Sequence, residues 1–446
     1  MHIWFSITYL LHNLVYYRRT KTRRLNTAVV MSEIGNKFAR LRSDYVPPIG
    51  HIEEVIINIL SRLPVKTVVA CKCVAKHWLK LISEPQFPHL QLNWSKKKPK
   101  YIICPYPEDY DTINHLCLLE GNGKIIEDVP LFGFDEVCSP EMTCFLNGLI
   151  SSVNEDSDGL NDVDINIFNP ITRDSIVLPR GSPSVVIPSV GVGFDPKSND
   201  FKAFRFFSDS SKGEDVKYKC EVYTSGSTAW RRISEDVQRP QSSPINPLCP
   251  YYASIAGTVY WFVWSQDQPG TPVRILSVDM NDSFTKICLP TPLNVWSFLT
   301  EIEGCLSVVH FNNPGTYALN QNQDPYLEVY KLENSRWHLR SKSTIDLINV
   351  HSINSVAARD TEIFFIIKHD DESICYLIFD FVEESFTTLD LDEQFEGDCP
   401  VAFPFVESLL KCKLGETVSG LQLRCSSSFK FATLAWNNLL VEGEME

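Results

Sequence analysis

Side chains that could hold a metal ion are present in the 446-residue chain, but their spacing does not complete a known site. Asn154, Asp156, Asp158 and Gly159 occupy the first, third, fifth and sixth positions of a calcium-binding loop. The twelfth position, which must supply a bidentate glutamate, is Ile165. We therefore interpret this stretch as an exposed acidic loop between two strands, which is the usual role of an acidic run.

The residues of nucleophilic and nucleotide-dependent catalysis are equally dispersed. Of the 14 cysteines only Cys71 and Cys73 lie close together, and no Cys-x-x-Cys pair is present. The ten histidines form no His-Glu-x-x-His motif, there is no Gly-x-Ser-x-Gly elbow or P-loop, and two Gly-x-Gly pairs lack the third glycine of a dinucleotide site. The sequence thus predicts no metal, no cofactor and reduced, packed cysteines in a cytoplasmic and/or nuclear protein.

Composition narrows the classes of partner. The formal net charge of −14 argues against nucleic acid, which needs a basic surface. Residues 1–17 are largely apolar and a basic cluster follows them, whereas a signal peptide has its basic residues before the apolar run. The apolar run is also short for a membrane-spanning helix. We expect residues 1–43 to be a disordered or non-native extension ahead of a second possible start at Met31, with a transit peptide as the alternative.

The elements that position any functional residue begin with a small helical block. Apolar spacing predicts a helix over residues 53–62, which Pro64 ends while opening the next helix. A second apolar stripe then runs to the stop at Ser83-Glu84-Pro85, and its members are Val74, Trp78, Leu81 and Ile82. Two or three short helices bury too little apolar surface to be stable on their own. The block either completes its core on another polypeptide or caps the domain that follows.

From about residue 100 a two-residue period replaces the helical one. Tyr218, Cys220 and Val222 alternate with Lys219 and Glu221, as in a β-strand. Prolines and turn dipeptides recur throughout this region. The long second part is therefore predicted to be almost entirely β.

Internal repeats divide this β region into units. The segments that begin Glu-Val-Tyr at Glu221 and Glu328 each place a tryptophan nine residues later, Trp230 and Trp337. Strand–acidic turn–strand segments recur from Asn166, Ser277 and Ile378, and short hairpins around a glycine or polar turn precede them. Units starting near residues 100, 143, 190, 252, 301 and 354 predict a six-bladed β-propeller. A large β-sandwich is the alternative.

The helical block resembles the plant F-box. The matching residues are Ile59-Leu60-Ser61-Arg62-Leu63-Pro64-Val65-Lys66-Thr67, Cys73-Val74-Ala75-Lys76-His77-Trp78 and Leu81-Ile82-Ser83-Glu84-Pro85-Gln86-Phe87. The family usually opens with Leu-Pro before its first acidic pair, whereas His51-Ile52 precede Glu53-Glu54 here.

The β region is similar to the F-box-associated, kelch-like interaction domain. The segments that carry this likeness are Phe168–Arg173 with Leu178-Pro179, Val192–Pro196, Gly257–Trp261, Val278-Asp279 with Leu289-Pro290, and Phe403–Leu409. The expected fold is mainly β, with a small N-terminal α module at 44–90, a kelch-like propeller of six units at 100–411 and a tail at 412–446.

These resemblances imply a non-catalytic substrate-recognition subunit of an SCF-type ubiquitin ligase. The F-box would bind a Skp-type adaptor, and through it cullin and RING subunits, while the propeller binds an unknown target protein. The residues implied for the F-box core and adaptor contact are Ile59, Leu60, Leu63, Pro64, Val65, Val74, Trp78, Leu81 and Ile82. The alternatives are an F-box protein acting outside a cullin ligase, and a sugar-binding or enzymatic propeller.

Overall fold

The fold consists of a helical unit followed by a β-propeller. The computed structural model describes residues 49–98, 100–104, 115–119, 125–130, 141–155, 163–185, 188–195, 200–209, 218–237, 252–265, 271–312, 325–345, 350–359, 361–391 and 400–412. These residues form two compact units that divide between Trp94 and Ser95. The predicted extension 1–43, the tail beyond Cys412 and the calcium-like positions Asp156, Asp158 and Gly159 lie outside the described residues.

In its described residues the first unit has four helices, one or two more than the sequence predicted. They are α1 (Ile49–Leu60), α2 (Val65–Cys71), α3 (Lys76–Ser83) and α4 (Phe87–Ser95). Pro64 precedes α2, and its carbonyl accepts the first hydrogen bond of that helix from Val68 N at 3.0 Å. Sequence reasoning missed α4 because Pro85 ends α3, yet a second proline, Pro88, is tolerated in the first turn of the new helix.

In its described residues the second unit contains 24 strands. Their bounds are β1 (Lys100–Cys104), β2 (His115–Leu119), β3 (Ile125–Pro130), β4 (Glu141–Leu146), β5 (Leu149–Glu155), β6 (Val163–Asn169), β7 (Asp174–Val177), β8 (Ser189–Asp195), β9 (Asp200–Phe207), β10 (Tyr218–Thr224), β11 (Arg231–Val237), β12 (Tyr252–Ile255), β13 (Thr258–Trp264), β14 (Pro272–Val278), β15 (Phe284–Ile287), β16 (Ser297–Ile302), β17 (Cys305–Asn312), β18 (Tyr326–Glu333), β19 (Arg336–Thr344), β20 (Val350–Arg359), β21 (Glu362–His369), β22 (Ile374–Asp380), β23 (Ser385–Leu389) and β24 (Val401–Phe405).

These strands form six antiparallel sheets of four strands each, which are the blades of the predicted propeller. Blades 2 to 6 are the consecutive meanders β4–β7, β8–β11, β12–β15, β16–β19 and β20–β23. Blade 1 combines β1–β3 with the last strand, β24, which pairs with β1 from Lys100↔Phe405 to Cys104↔Val401. The C-terminal strand therefore closes the ring, and the expected six-unit fold is confirmed.

The repeats seen in the sequence are equivalent turns of the blades. Asn169, Asp279 and Asp380 each follow or end the third strand of a blade, and each accepts two backbone N–H bonds through Oδ1. These are Asx turns, which short polar side chains favour. At the hairpins that join first and second strands, Asn147-Gly148 and Ala256-Gly257 have positive φ at both residues, the type I′ geometry that matches strand twist.

The two tryptophans of the Glu-Val-Tyr repeat make the same contact between neighbouring blades. The indole of Trp230 in blade 3 donates to the Pro179 carbonyl at 2.6 Å, just after the last strand of blade 2. Trp337 in blade 5 donates to the Cys288 carbonyl at 2.7 Å, just after the last strand of blade 4. The tryptophan of this repeat thus forms a hydrogen bond that links its blade to the preceding one.

Both faces of a blade pack against neighbouring parts of the ring. The two-residue alternation of side chains therefore does not distinguish buried from exposed positions in this region. Cys220 and Val222 pack towards blade 4. Glu221, on the opposite face of β10, is 2% exposed rather than solvated. It pairs with Arg205 of β9 at 2.7 Å and accepts bonds from the backbone N (3.0 Å) and Oγ (2.7 Å) of Ser182. The carboxylate therefore ties the connection after blade 2 to blade 3.

The segment that follows β24 attaches the chain end to blade 2. Asn169 is fully buried, and its Nδ2 donates to the carbonyls of Ser408 (3.0 Å) and Leu410 (2.9 Å). A Cβ at Gly148 would lie 2.5 Å from Ser408 Oγ, so the close approach needs glycine there. Glu407 also pairs with Lys100 at 3.2 Å. The last described residues thus hold blades 1 and 2 together.

Candidate adaptor-binding site

The nine residues implied for adaptor binding divide into a buried and an accessible group. Leu60, Leu63, Val65, Leu81 and Ile82 are buried in the helical unit. The other four reach solvent: Ile59, Val74 and Trp78 are partly exposed, and Pro64 is exposed. The buried group forms the module's own core, so among these nine residues the accessible group presents the surface that a partner could contact.

Among the described residues of this unit, three further large apolar side chains are exposed, and sequence reasoning did not assign them to the site. Val55 on α1 is 52% exposed, Leu79 on α3 is 45% exposed and Leu90 on α4 is 40% exposed. Leu79 is next to Trp78 in the sequence and therefore lies outside the predicted apolar stripe, so its spacing did not indicate a contact role. Because large exposed apolar areas often mark binding sites, these side chains are candidates for an interaction surface.

Polar contacts hold the helices that carry these side chains. His77 Nε2 on α3 lies 3.7 Å from Glu53 Oε1 on α1, with both side chains about half exposed. The guanidinium of Arg62, after α1, lies 4.2 Å from the centre of the Trp94 ring on α4. Both contacts are on the surface, and they orient α1, α3 and α4 without filling the core.

The neighbouring cysteines differ in reactivity. Cys71 is buried, and desolvation raises the pKa of its thiol to about 11. Cys73 is exposed. A thiol that stays protonated is a poor nucleophile and metal ligand, so Cys71 acts in packing.

The described residues contain no group of three or more His, Cys, Asp or Glu side chains able to hold a metal ion. Within the same part of the chain, no helix has the length and apolar character needed to cross a membrane.

Comparison with known proteins agrees with this architecture. Residues 53–90 match the F-box domain. Residues 132–397, more than half of the chain, match the F-box associated beta propeller domain.

Two Arabidopsis thaliana proteins are among the similar ones. F-box protein At5g07610 is 26% identical over 322 residues, which cover 67% of this chain and 71% of that protein. F-box protein At1g30790 is 28% identical over 280 residues, covering 58% of this chain and 68% of that protein. The four-helix unit, the six-bladed ring and the family matches together place this chain in the family of F-box proteins that carry an F-box-associated β-propeller.

Proposed function

We propose that this protein is the substrate-recognition subunit of an SCF-type E3 ubiquitin ligase. Its helical unit binds a Skp-type adaptor, which connects it to cullin and RING subunits in the cytoplasm and/or nucleus. Its propeller binds a target protein. The chain itself performs no bond chemistry, and it accelerates ubiquitin transfer by raising the local concentration of target lysines.

The observation that carries the proposal is the exposed apolar surface of the four-helix unit. Val55, Leu79 and Leu90 are 40–52% exposed, and Trp78 beside Leu79 is partly exposed. Complete burial of one such aliphatic side chain is worth about 1.5–3 kcal/mol. These side chains are already about half buried, so covering each one supplies about half of that value, and covering several contributes to the free energy of a specific complex.

The adaptor-binding proposal is tested best with exposed residues, since their replacement leaves the core intact. We expect Val55→Gln/Leu79→Gln to weaken binding of a purified Skp-type adaptor by about 10- to 100-fold, because each substitution removes about 1 kcal/mol or more of apolar contact. Glutamine is a good helix former, so the helical circular dichroism and the melting temperature should stay close to those of the wild type. Isothermal titration calorimetry measures the affinity.

The matched control replaces two exposed valines of the propeller, Val177→Gln/Val185→Gln, whose side chains are 58% and 40% exposed. This variant should bind the adaptor as the wild type does. Wild-type affinity of the Val55/Leu79 variant would contradict the proposed surface. Recovery of adaptor without cullin after affinity purification would instead favour a role outside a cullin ligase.

A further inference from the structure

Strand β19 differs from the outer strands of the other five blades. It is nine residues long, whereas β3, β7, β11, β15 and β23 have six, four, seven, four and five. Its sequence, RWHLRSKST, contains four basic residues and no acidic one, in a chain with a net charge of −14. Among the described strands β19 has one neighbour, β18, and no described strand pairs with its other edge, which we call the open edge.

The two sides of β19 have different chemistry. Trp337 packs against the apolar cluster between blades 4 and 5, and Leu339, two residues further, lies on the same side and is 53% exposed. Arg336 and His338 point to the other side and are exposed. A bulge in the pairing with β18 brings Arg340 over the ring of Phe381 in blade 6, at 5.6 Å. From Arg336 to Arg340 one side is therefore apolar and the other cationic, whereas Lys342, paired with Glu328, lies on the side of Leu339.

The acidic residues near β19 are occupied by other cations. Lys331 pairs with Glu303 at 2.5 Å and with Glu333 at 2.9 Å, and Lys342 pairs with Glu328 at 2.9 Å. Neither Arg336 nor Arg340 forms an ion pair within the part of the chain that the structure describes. Arg340 attracts Glu303 and Glu333 at longer range but forms no hydrogen bond to either. Both guanidinium groups therefore retain N–H donors for a carboxylate from outside.

We propose that β19 binds an extended segment of a partner protein by adding it as a fifth strand to blade 5, and that this segment alternates acidic and apolar residues. Its main chain would pair with the open edge. Its acidic side chains would meet Arg336, His338 and Arg340, while its apolar ones would cover Leu339 and extend the contact of Trp337. This proposal rests on the proposed function in one respect: the partner that binds β19 is taken to be the target protein of the ligase.

Two other roles for this edge fit the residues less well. Basic residues on an outer strand can also block edge-to-edge aggregation, but that role alone does not account for Leu339, which is 53% exposed beside them. A second copy of the chain pairing through β19 would bring two rows of cations together, which is unfavourable. An acidic–apolar strand satisfies both sides of β19 at once.

The test uses the full chain and a synthetic probe, the blocked nonapeptide acetyl-Glu-Val-Glu-Leu-Glu-Val-Glu-Leu-Glu-amide with a fluorescent label. Fluorescence anisotropy at low salt should show saturable binding that weakens as salt increases. Replacing every glutamate by lysine should abolish binding. N-methylation of alternate peptide nitrogens, which removes main-chain donors, should weaken it at least about tenfold if the segment pairs as a strand.

Variants locate the binding surface. Arg336→Glu/Arg340→Glu should weaken probe binding at least about tenfold, and Leu339→Ser should weaken it with little change in the salt dependence. The matched control, Lys76→Glu/Lys98→Glu, changes the net charge equally at two exposed lysines outside blade 5 and should bind the probe normally. Circular dichroism confirms that each variant is folded.

Several outcomes would overturn the proposal. These are no saturable binding up to about 1 mM probe, equal binding of the N-methylated probe, equal loss in the Lys76/Lys98 control, and a dimer of the unliganded chain that Arg336→Glu/Arg340→Glu dissociates. Adaptor affinity of the Arg336→Glu/Arg340→Glu and Leu339→Ser variants should stay unchanged. Failure at β19 is therefore separable from failure of the F-box proposal.

Discussion

The substitution Asn169→Asp tests how the ring is closed at its C-terminal end. Asn169 ends β6, is fully buried and donates from Nδ2 to the carbonyls of Ser408 and Leu410. Its Oδ1 accepts the N–H groups of Ile171 and Thr172. Aspartate has almost the same shape and can keep the turn. It cannot donate to the two carbonyls, and when ionised it places a negative charge beside them.

The size of the effect follows from these contacts. Two hydrogen bonds are lost at about 1 kcal/mol each, and a buried carbonyl left unsatisfied costs about 1–3 kcal/mol. We expect the free energy of unfolding to fall by about 3–5 kcal/mol. For a unit of this size, that corresponds to a decrease of about 4–7 °C in melting temperature.

Calorimetric melting and hydrogen exchange measure this effect. Exchange should accelerate in β24 and in residues 406–412, because the lost bonds hold that segment. The chain supplies a matched control in the equivalent turns, where Asp279 and Asp380 accept two N–H bonds each at the surface. Asp279→Asn and Asp380→Asn keep the acceptor and should change stability by less than about 0.5 kcal/mol.

The reasoning fails if Asn169→Asp melts within about 1 °C of the wild type, or if it melts no lower than the two control variants. It also fails if the variant is destabilised but exchange in residues 401–412 is unchanged. In that case the loss would lie in the turn itself, and the chain end would be held by other contacts, such as the Lys100–Glu407 pair.

Two further predictions concern buried charges. Arg205→Met should lower the free energy of unfolding by about 3–5 kcal/mol because it leaves Glu221 buried without its cation, whereas Arg205→Met/Glu221→Leu should cost much less; a double variant as unstable as the single one in urea unfolding would refute the role of the pair. Burial lowers the pKa of His310 from 6.5 to about 4, against the opposing influence of Glu328. Because the unfolded state binds a proton at His310 more readily than the folded state does, the stabilising contribution of this residue is fully present above pH 6.5. The free energy of unfolding then falls by up to about 3 kcal/mol as the pH drops towards 4. His310→Asn should reduce the loss between pH 7 and pH 5 by about 2 kcal/mol, as followed by urea unfolding at each pH, and an identical loss in both proteins would contradict this.

Much of the ring was predictable because its determinants lie close together in sequence. The two-residue period, the Asx turns at Asp279 and Asp380 and the Ala256-Gly257 hairpin are each encoded within a few residues, so repetition of these segments indicated six units. The F-box motif was likewise readable as one continuous stretch. The exposure of each side chain within that motif could not be predicted, because it depends on how the helices pack against one another. Leu60 and Leu63 are buried, while Leu79 is exposed.

The sequence by itself determined the order of elements, the number of blades and the kind of module at the N-terminus. Tertiary structure alone decided that Glu221 is buried against Arg205, and that Asn169 binds a carbonyl 239 residues away. Local periodicity and turn chemistry act between near neighbours, so any one stretch of sequence reveals them. Contacts that close a ring join residues that are neighbours only after every blade has taken its place.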